Sequence, residues 1–530
     1  MSDPMSITSL AFLLFCGLLA AAYFVLPKAC QWVLLLLFSL YFYTRSGWTG
    51  LIFLLITASA SWLTALWMEH ENAGSRAVLK TLESREKKAE ERARSKSAKR
   101  MVFILLCFLI YGIWIVLKYS PMILSTVQDL FPKADLRHAW KSADSFIIPL
   151  GLSFYTFNAA GYVIDVSRKK YPAEKNFFRY LTFISFFPHI IQGPFSRFDR
   201  LGESLFARHS FDYDRMGLGL RRMLFGYAEK LLVADKLSAQ VSTVMAAPQQ
   251  YPGIYLIIAV LGYGVQLYAD FKGYMDIMCG FCQILGIELE ENFRQPYFSV
   301  SIQNYWTRWH MTLGHWYTDY IFYPASMGQT AQRIGRKARS ALGARMGKLI
   351  PSYFAMIFVW TLTGLWHGAN WTFVVWGWLN FAFILFSMQA EPLYNRLKKT
   401  LHINDKSAPW KLFMILRTIL LVSLLRIFYC APTVSAALLY IRNMFVPNWG
   451  LLSQPGALIE TTLSGTGMNF LYIVFVTLCI FIVDLVKENE WKIRVAMPLR
   501  AVFYGLLFCM ILIGSGAGNA SEGGFLYAQF

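Results

Sequence analysis

Long apolar runs separated by short polar stretches dominate the hydrophobic pattern of this 530-residue chain. A helix that crosses a membrane needs about 20 mostly apolar residues, so runs approaching that length predict spans. In the first part of the chain the runs cover residues 7–26, 31–44, 50–68, 101–118 and 145–164. In the last part they cover residues 349–364, 371–390, 411–429, 468–486 and 500–514. The pattern therefore predicts an all-α polytopic membrane protein.

The middle of the chain departs from this pattern, because its apolar runs are short. They cover residues 180–191, 254–269 and 277–287, and charged side chains interrupt a further run at 217–232. Runs of about a dozen residues are too short to span simply. Irregular backbone at membrane depth is tolerated only where protein or a water-filled cavity surrounds it. The middle of the chain is therefore predicted to build a cavity.

One strongly charged stretch, residues 69–100, carries ten basic and six acidic side chains. Mixed charges at helical spacing predict an exposed, solvated helix. Such a helix is either a cytoplasmic connector, which we favour, or a docking arm for a partner or for lipid headgroups. Its basic excess places it on the inner side by the positive-inside rule, which leaves the N-terminus outside. The same rule marks later inner connectors, at Lys398, Lys399, Lys406, Lys487, Lys492 and Arg494.

Composition supports the membrane assignment, since 56% of the residues are hydrophobic and only 15% are charged. The net charge of +19 does not indicate nucleic-acid binding, because the basic residues lie mostly in connectors between apolar runs. The eight cysteines lie mostly in apolar runs, as small buried hydrophobes do. Cys279 and Cys282 form a C-x-x-C without a second pair, so a zinc or redox role is not favoured.

His367 stands out within residues 349–390, where Tyr353 is the only other ionisable side chain. An ionisable group at membrane depth is a functional-site hypothesis. The structural alternative is an imidazole that hydrogen-bonds a neighbouring helix, and the spacing of Gly364 and Gly368 also occurs in plain helix packing. Because glycines on both sides of His367 also let backbone or substrate approach the ring closely, we favour chemistry.

A second histidine, His310, lies in the irregular middle region. Imidazole is suited to moving protons near neutral pH, so His310 together with His367 predicts acid–base catalysis. A metal pair of His310 and His315 is not predicted, because residues five apart on a helix point to different faces. No carboxylate completes a metal-ligand set at the usual spacing.

Three charges, Asp270, Lys272 and Asp276, lie in otherwise apolar sequence. They are predicted to pair inside the protein, and the alternative is a transport pathway lined by the same charges. Phosphate-binding loops with the Walker lysine or the G-x-G-x-x-G pattern are absent from the sequence, as is the G-x-S-x-G nucleophile elbow. The sequence therefore does not support nucleotide hydrolysis or serine-esterase chemistry.

Seven motifs follow one another along almost the whole chain. They are Gly151-Leu-Ser-Phe-Tyr-Thr-Phe, Phe187-Pro with Gln192-Gly-Pro, Gln266-Leu-Tyr-Ala-Asp-Phe-Lys-Gly-Tyr, Glu291-Asn-Phe with Pro296-Tyr, Arg308-Trp-His with Trp316 and Asp319-Tyr, Trp366-His-Gly-Ala-Asn-Trp-Thr-Phe, and Phe525-Leu-Tyr-Ala-Gln-Phe. In this order and combination the chain resembles the membrane-bound O-acyltransferases. Within them it is similar to the bacterial branch that contains the alginate O-acetylation membrane subunit.

The resemblance implies a ring of transmembrane and re-entrant helices around a funnel that crosses the membrane. It implies one membrane-embedded acyltransferase domain over residues 1–530, with a catalytic core at 145–390 and additional C-terminal spans at 391–530. His367 matches the catalytic histidine of the family, and His310 matches the second histidine of the bacterial branch. The motif residues expected to bind substrate are Gln192, Tyr268, Asp270, Asn292, Arg308, Trp309, Trp366, Asn370 and Trp371.

The resemblance also implies the reaction and its participants. No bound cofactor is expected, and acetyl-CoA is the expected donor of an acyl group that crosses a bacterial cytoplasmic membrane towards a polysaccharide acceptor. A separate extracytoplasmic acetyltransferase of the SGNH type is the expected partner, and membrane lipid the expected surroundings. Two alternatives stay open. One is transfer of D-alanine to teichoic acid from a carrier protein, against which the spans after residue 390 argue, and the other is a non-enzymatic transporter.

Three departures from the branch pattern are visible. Asn380 and Phe381 stand where the branch often has a histidine and a glycine. The branch usually reads Phe-Phe-Arg-Ala where this chain has Phe428-Tyr-Cys-Ala, with Arg426 nearby instead. Lys272 replaces a commonly small residue. The two histidines are intact.

Overall fold

The computed structural model describes residues 5–45, 47–132, 149–251, 253–445, 467–491 and 495–516. Helices account for most of these residues, and an isolated antiparallel bridge between Phe293 and Trp309 is the only β pairing among them. The predicted all-α architecture is therefore confirmed. The terminal motif at 525–530, the connector residues Lys492 and Arg494, and the start of the 145–164 run lie outside the described residues.

The chain divides into two compact units, of which the first comprises Met1–Leu220 and Met278–Glu290. Its helices are α1 Leu10–Val25, α2 Gln31–Thr44, α3 Trp48–Thr81, α4 Arg85–Leu130, α5 Leu152–Ser167, α6 Phe177–Ser185, α7 Phe187–Ile190 and α8 Phe198–Leu205. Hydrogen bonds from α3 hold this unit together. Ser61 lies 2.7 Å from the Tyr180 hydroxyl on α6, and Asn72 donates to the carbonyl of Val166 on α5 at 3.1 Å.

The second unit comprises Arg221–Ile277 and Glu291–Phe530. Two helices, α9 Tyr213–Ala228 and α11 Gly253–Leu285, contribute residues to both units. The other helices of the second unit are α10 Asp235–Ala246, α12 Ile302–Trp306, α13 Met311–Tyr317, α14 Tyr323–Met327, α15 Gln329–Leu342, α16 Ala344–His367, α17 Trp371–Thr400, α18 Ala408–Cys430, α19 Val434–Met444, α20 Gly467–Glu488 and α21 Met497–Gly516.

Six helices of the described residues are long and apolar enough to cross a membrane: α3, α11, α16, α17, α18 and the Met497–Gly514 part of α21. The number rises to seven if the two arms of α4, which meet at an angle of 59°, form one span. The chain is thus a multi-pass membrane protein, as predicted. The predicted spans at 7–26 and 31–44 form the shorter apolar helices α1 and α2, of 16 and 14 residues.

The predicted break between residues 254–269 and 277–287 is wrong, because α11 runs without interruption for 33 residues. The charges that interrupt the apolar pattern are buried and paired: Asp270 with Lys230 at 2.7 Å, and Lys272 with Glu229 and with Asp276. A charge can be carried at membrane depth when a partner from another segment neutralises it. The predicted internal pairing of these charges is therefore confirmed.

The charged stretch 69–100 forms a helical hairpin instead of the single helix that its pattern predicts. α3 ends at Thr81 and α4 begins at Arg85, after Ser84 caps the new helix. Arg94 on α4 then pairs with Glu71 on α3 at 3.1 Å and with Glu91 at 2.8 Å. The mixed charges therefore serve partly to pair the two arms with each other.

Helices α16 and α17 of the second unit form a tight hairpin. Two glycines permit the close approach of these helices. A Cβ atom on Gly364 would lie 2.5 Å from the carbonyl oxygen of Phe373, and one on Gly377 would lie 2.3 Å from the carbonyl oxygen of Trp360. Small residues let membrane helices pack backbone to backbone. This packing holds the end of α16 in place.

Candidate active site

His367 is the last residue of α16 and lies at the tip of the α16–α17 hairpin. The chain reverses over three residues, and α17 begins at Trp371. Asn370 caps the new helix, because its Oδ1 accepts a hydrogen bond from the backbone N–H of Thr372 at 3.0 Å. Gly368 is required here, since a Cβ atom would lie 2.2 Å from the Phe373 ring. The glycines around His367 thus admit close protein packing.

Aromatic rings surround the buried imidazole of His367. The ring centroids of Trp366, Trp376 and Tyr429 lie 4.7, 5.1 and 5.1 Å from its own. The Tyr429 hydroxyl lies 3.3 Å from Nδ1. A hydrogen bond at one ring nitrogen decides which nitrogen is protonated. When Nδ1–H donates to the tyrosine oxygen, Nε2 is the basic nitrogen of His367.

His310 lies immediately before α13, with a backbone φ of 48° in the left-handed region. Its Nδ1 is 3.1 Å from Oδ1 of Asn292. The same oxygen accepts from the backbone N–H of Thr312 at 3.2 Å and from its hydroxyl at 2.9 Å. Because an amide oxygen only accepts hydrogen bonds, Nδ1 of His310 carries the proton and Nε2 is its basic nitrogen.

Trp366 brings the two predicted histidines to one site. Its ring centroid lies 5.6 Å from that of His310 and 4.7 Å from that of His367. Both imidazoles are buried. The two histidines are 57 residues apart in sequence, and they are positioned by different elements, so their meeting is a property of the tertiary structure.

Helix α18 contributes side chains to the surroundings of both His310 and His367. Arg426 donates to the hydroxyls of Tyr297, at 2.6 Å, and Tyr305, and its guanidinium lies 4.9 Å from the ring of Trp309, next to His310. Tyr429, almost one turn further along α18, contacts His367. Arginine over an aromatic face is a stabilising arrangement. One helix therefore constrains the surroundings of both imidazoles.

The other residues expected to bind substrate make specific contacts within the second unit. The Tyr268 hydroxyl donates to Oδ2 of Asp484 at 2.5 Å. Arg308 pairs with Glu488 at 2.8 Å. Trp309 stacks on Tyr305 with ring centroids 5.7 Å apart. These side chains are held in place by protein contacts, and their binding of substrate stays a prediction.

The four remaining predicted residues are held by structural contacts, are exposed or belong to the first unit. Asp270 pairs with Lys230, and Asn370 donates to the carbonyl of Pro432 at 2.9 Å in addition to capping α17. Trp371 is 46% exposed. Gln192 belongs to the first unit, where its buried amide has no hydrogen-bond partner among the described residues.

Several residues of the site were missed by sequence reasoning. Arg426 and Tyr429 entered the sequence analysis only as a departure from the branch pattern, and Asp484 lies in an apolar run that predicts only a span. The available signal was the rarity of a charged side chain in an apolar segment, which marks Arg426 and Asp484 as interior groups. Tyr429 carries no such signal, because tyrosine is common in membrane helices.

The residues just before α13 correct one step of the sequence argument. His310 does not share a helix with His315, because it precedes α13 in a left-handed conformation. The helical angle between the two residues therefore does not apply. Among the described residues, no three histidine, cysteine, aspartate or glutamate side chains are grouped as a metal-ion site would require.

Comparison with known proteins identifies the family. The sequence profile of the membrane-bound O-acyltransferase family matches residues 105–431, which is more than half of the chain. The probable alginate O-acetylase AlgI of Azotobacter vinelandii is 36% identical over 231 residues, which are 44% of this chain and 42% of that protein. The chain thus spans less than half the length of this relative.

Two more distant relatives carry other names. The peptidoglycan O-acetyltransferase of Helicobacter pylori is 26% identical over 335 residues, 58% of this chain and 59% of that protein. The teichoic acid D-alanyltransferase of Bacillus subtilis is 26% identical over 262 residues, 48% of this chain and 62% of that protein. The matched family region contains both imidazoles, Trp366 and Tyr429, and the chain belongs to the membrane-bound O-acyltransferase family.

Proposed function

We propose that this protein is a membrane acyltransferase that moves an acetyl group from a cytoplasmic thioester donor across the membrane towards a cell-surface polysaccharide. The observation that carries the proposal is that His310 and His367 both lie beside Trp366, buried within one unit. The names of the relatives support it, since acetylation of alginate and of peptidoglycan are both transfers to a polysaccharide.

The chemistry of acyl transfer explains why an imidazole is needed. The hydroxyl oxygen of the acceptor attacks the thioester carbonyl, a C–O bond forms, and the C–S bond breaks. A base must remove the hydroxyl proton as the oxygen attacks, and the leaving thiolate must receive a proton. Nε2 of His367 performs both transfers when Tyr429 holds the proton on Nδ1. His367 is therefore assigned the role of general acid–base.

His310 is assigned a supporting role in the same reaction. With Nδ1 held by Asn292, its other nitrogen orients the donor or stabilises the charge that develops on the thioester oxygen. A second route, in which the acetyl group is first carried by His367 as an acyl-histidine, is less favoured. Recovery of labelled acetyl on His367 after reaction with the donor would establish that second route.

The donor, partner and location belong to the same proposal. Acetyl-CoA is the proposed donor, because a thioester on the cytoplasmic side supplies an activated acetyl group without a bound cofactor. A separate SGNH-type acetyltransferase is the proposed partner that completes transfer outside the bacterial cytoplasmic membrane. No nucleic acid takes part. Transfer of D-alanine from a carrier protein is the alternative, since one relative is a teichoic acid D-alanyltransferase.

The identity of the transferred group, acetyl or D-alanyl, can be tested in a deletion strain. We expect loss of O-acetyl esters from the surface polysaccharide and their return on complementation with the wild-type gene, with ester-linked D-alanine unchanged in both strains. Ester content is measured after mild alkaline release. A loss of D-alanine in place of acetyl would favour the alternative, and no change in either ester would contradict acyl transfer to the surface.

Tyr429→Phe tests the positioning of His367 and removes only the hydroxyl next to Nδ1. One hydrogen bond contributes about 1 kcal/mol, so acetylation should fall about fivefold while protein abundance stays normal. Tyr323→Phe, at an exposed tyrosine of α14, is the matched control and should be without effect. Equal acetylation by both variants would show that the Tyr429 hydroxyl does not position the imidazole.

A further inference from the structure

A cavity of about 950 Å³ lies in the second unit, and neither His310 nor His367 is among the residues that line it. It is formed by the first residues of α16, the last turns of α17, the first turns of α18 and the segment just before α12. This volume is at the upper end of the range typical of small-molecule sites. The positive-inside rule assigns the end of α17, which carries Lys398 and Lys399, and the following loop, which carries Lys406, to the inner side.

The charges of the cavity are predominantly positive. Arg345, Lys348, Lys398 and Arg417 line it, and Glu391 is the one carboxylate among the lining residues. Lys398 is paired with Asp405 at 2.9 Å. No carboxylate of the described residues forms an ion pair with the other three cations. The cavity therefore offers three positive charges that an anionic ligand can neutralise.

Arg417 is the most informative of these cations. It lies nine residues into α18, about 14 Å along the helix from its start. One nitrogen donates to the carbonyl of Val300 at 3.0 Å, while the buried Nε has no hydrogen-bond partner among the described residues. A half-buried arginine with unused donors inside an apolar helix matches the requirements of a phosphate ester, which accepts several hydrogen bonds.

The rim of the cavity is apolar and faces outwards. Leu397, Leu401 and Phe413 line the cavity and are also exposed. Leu397 lies near the end of α17 and Leu401 just beyond it. On α18 an exposed leucine stripe at helical spacing runs over Leu412, Leu416 and Leu420. An exposed apolar face on a membrane protein is covered by lipid chains. A ligand that reaches the cations from this side must therefore be an amphiphile.

We propose that this cavity binds the phosphate headgroup of an anionic phospholipid of the inner leaflet, with the acyl chains along the exposed leucine stripe of α18. Basic pockets between membrane helices on the cytoplasmic side bind such headgroups. The lipid ties α16 and α18, which carry His367 and Tyr429, to the surrounding bilayer. This assignment does not depend on the acyl acceptor or donor.

The test compares two double variants of the full-length protein in detergent. Arg345→Gln with Lys348→Gln removes two exposed cations of the cavity. Arg333→Gln with Lys337→Gln removes two exposed cations of α15 that do not line it, and so serves as the matched control for net charge. Retained phosphatidylglycerol and phosphatidylcholine are counted by native mass spectrometry, and coenzyme A is offered in a separate arm.

Wild type and the α15 variant should retain phosphatidylglycerol in preference to phosphatidylcholine. Each basic residue near a headgroup contributes about 1 kcal/mol, so the cavity variant should bind phosphatidylglycerol about 30-fold more weakly. Equal weakening in both variants would mean a general surface-charge effect and would overturn the proposal. Coenzyme A binding that the cavity variant loses, without selective lipid retention by wild type, would assign the site to a soluble phosphate ester instead.

Discussion

His367→Ala should reduce acetylation of the surface polysaccharide by a factor of about 10² to 10⁴, the usual contribution of a general base. Nε2 of His367 is the group assigned to take the acceptor proton. The rings that surround it, Trp366, Trp376 and Tyr429, offer no other base at this position. His367→Gln should show a similar loss, because glutamine fills the space and forms hydrogen bonds without acting as a base. O-acetyl content is measured in the complemented deletion strain, with protein abundance measured in the same membranes.

His315→Ala is the matched control for this experiment. It removes the same ring from an exposed position on α13, five residues after His310, and should leave acetylation unchanged. His310→Ala should also lower acetylation, because it removes the second imidazole beside Trp366. Wild-type acetylation by His367→Ala at normal abundance would remove the proposed mechanism and favour a scaffold or transporter.

Lys272→Met should destabilise the protein by about 3–5 kcal/mol, because removing one partner of a buried ion pair leaves an uncompensated charge. Lys272 lies on α11 and pairs with Glu229, on a π-helical turn, and with Asp276 at 2.8 Å. All three side chains are buried. Asp276 also binds Arg222 at 2.8 Å. In the variant Asp276 therefore keeps one ion pair, whereas Glu229 loses its pair with Lys272. The expected observation is a lower unfolding midpoint of the detergent-purified protein.

Lys398→Met provides the comparison for the unfolding midpoint. Lys398 pairs with Asp405, whose side chain is exposed, and exposed pairs contribute about 0–1 kcal/mol to stability. Adding Glu229→Gln to Lys272→Met should recover part of the lost stability, because the unpaired carboxylate is then gone. If Lys272→Met and Lys398→Met shift the midpoint equally, the network is solvated and does not hold the unit together. Failure of the double variant to recover stability would instead point to Asp276 as the destabilised group.

The network explains why the sequence pattern misjudged α11. The positions of Asp270, Lys272 and Asp276 break the apolar run, and a window of sequence cannot show that Lys230 and Glu229 lie opposite them. These partners are about 40 residues away along the chain. Gly226 and Gly273 allow the approach, because a Cβ atom on Gly226 would lie 2.6 Å from the carbonyl oxygen of Gly273. The continuity of α11 therefore depends on contacts between segments.

The sequence by itself determined the membrane class and the helices α16, α17 and α18. Residues 349–364, 371–390 and 411–429 predict helices that the structure confirms and extends, by as many as ten residues at the end of α17. Backbone groups at membrane depth must bond within their own helix, so a long apolar run leaves little choice. The same sequence singled out His367 and His310 because an imidazole is rare in such surroundings, and the motif series indicated the family.

Only the tertiary structure decided how these residues work together. Trp366 lies beside both imidazoles, Asn292 fixes the protonated nitrogen of His310, and α18 brings Tyr429 to His367. The residues that meet here come from four separate segments, and a hydrophobic pattern records only whether each position is buried. Helix formation at membrane depth is a local requirement, whereas the partner of a buried polar atom depends on which helices pack together.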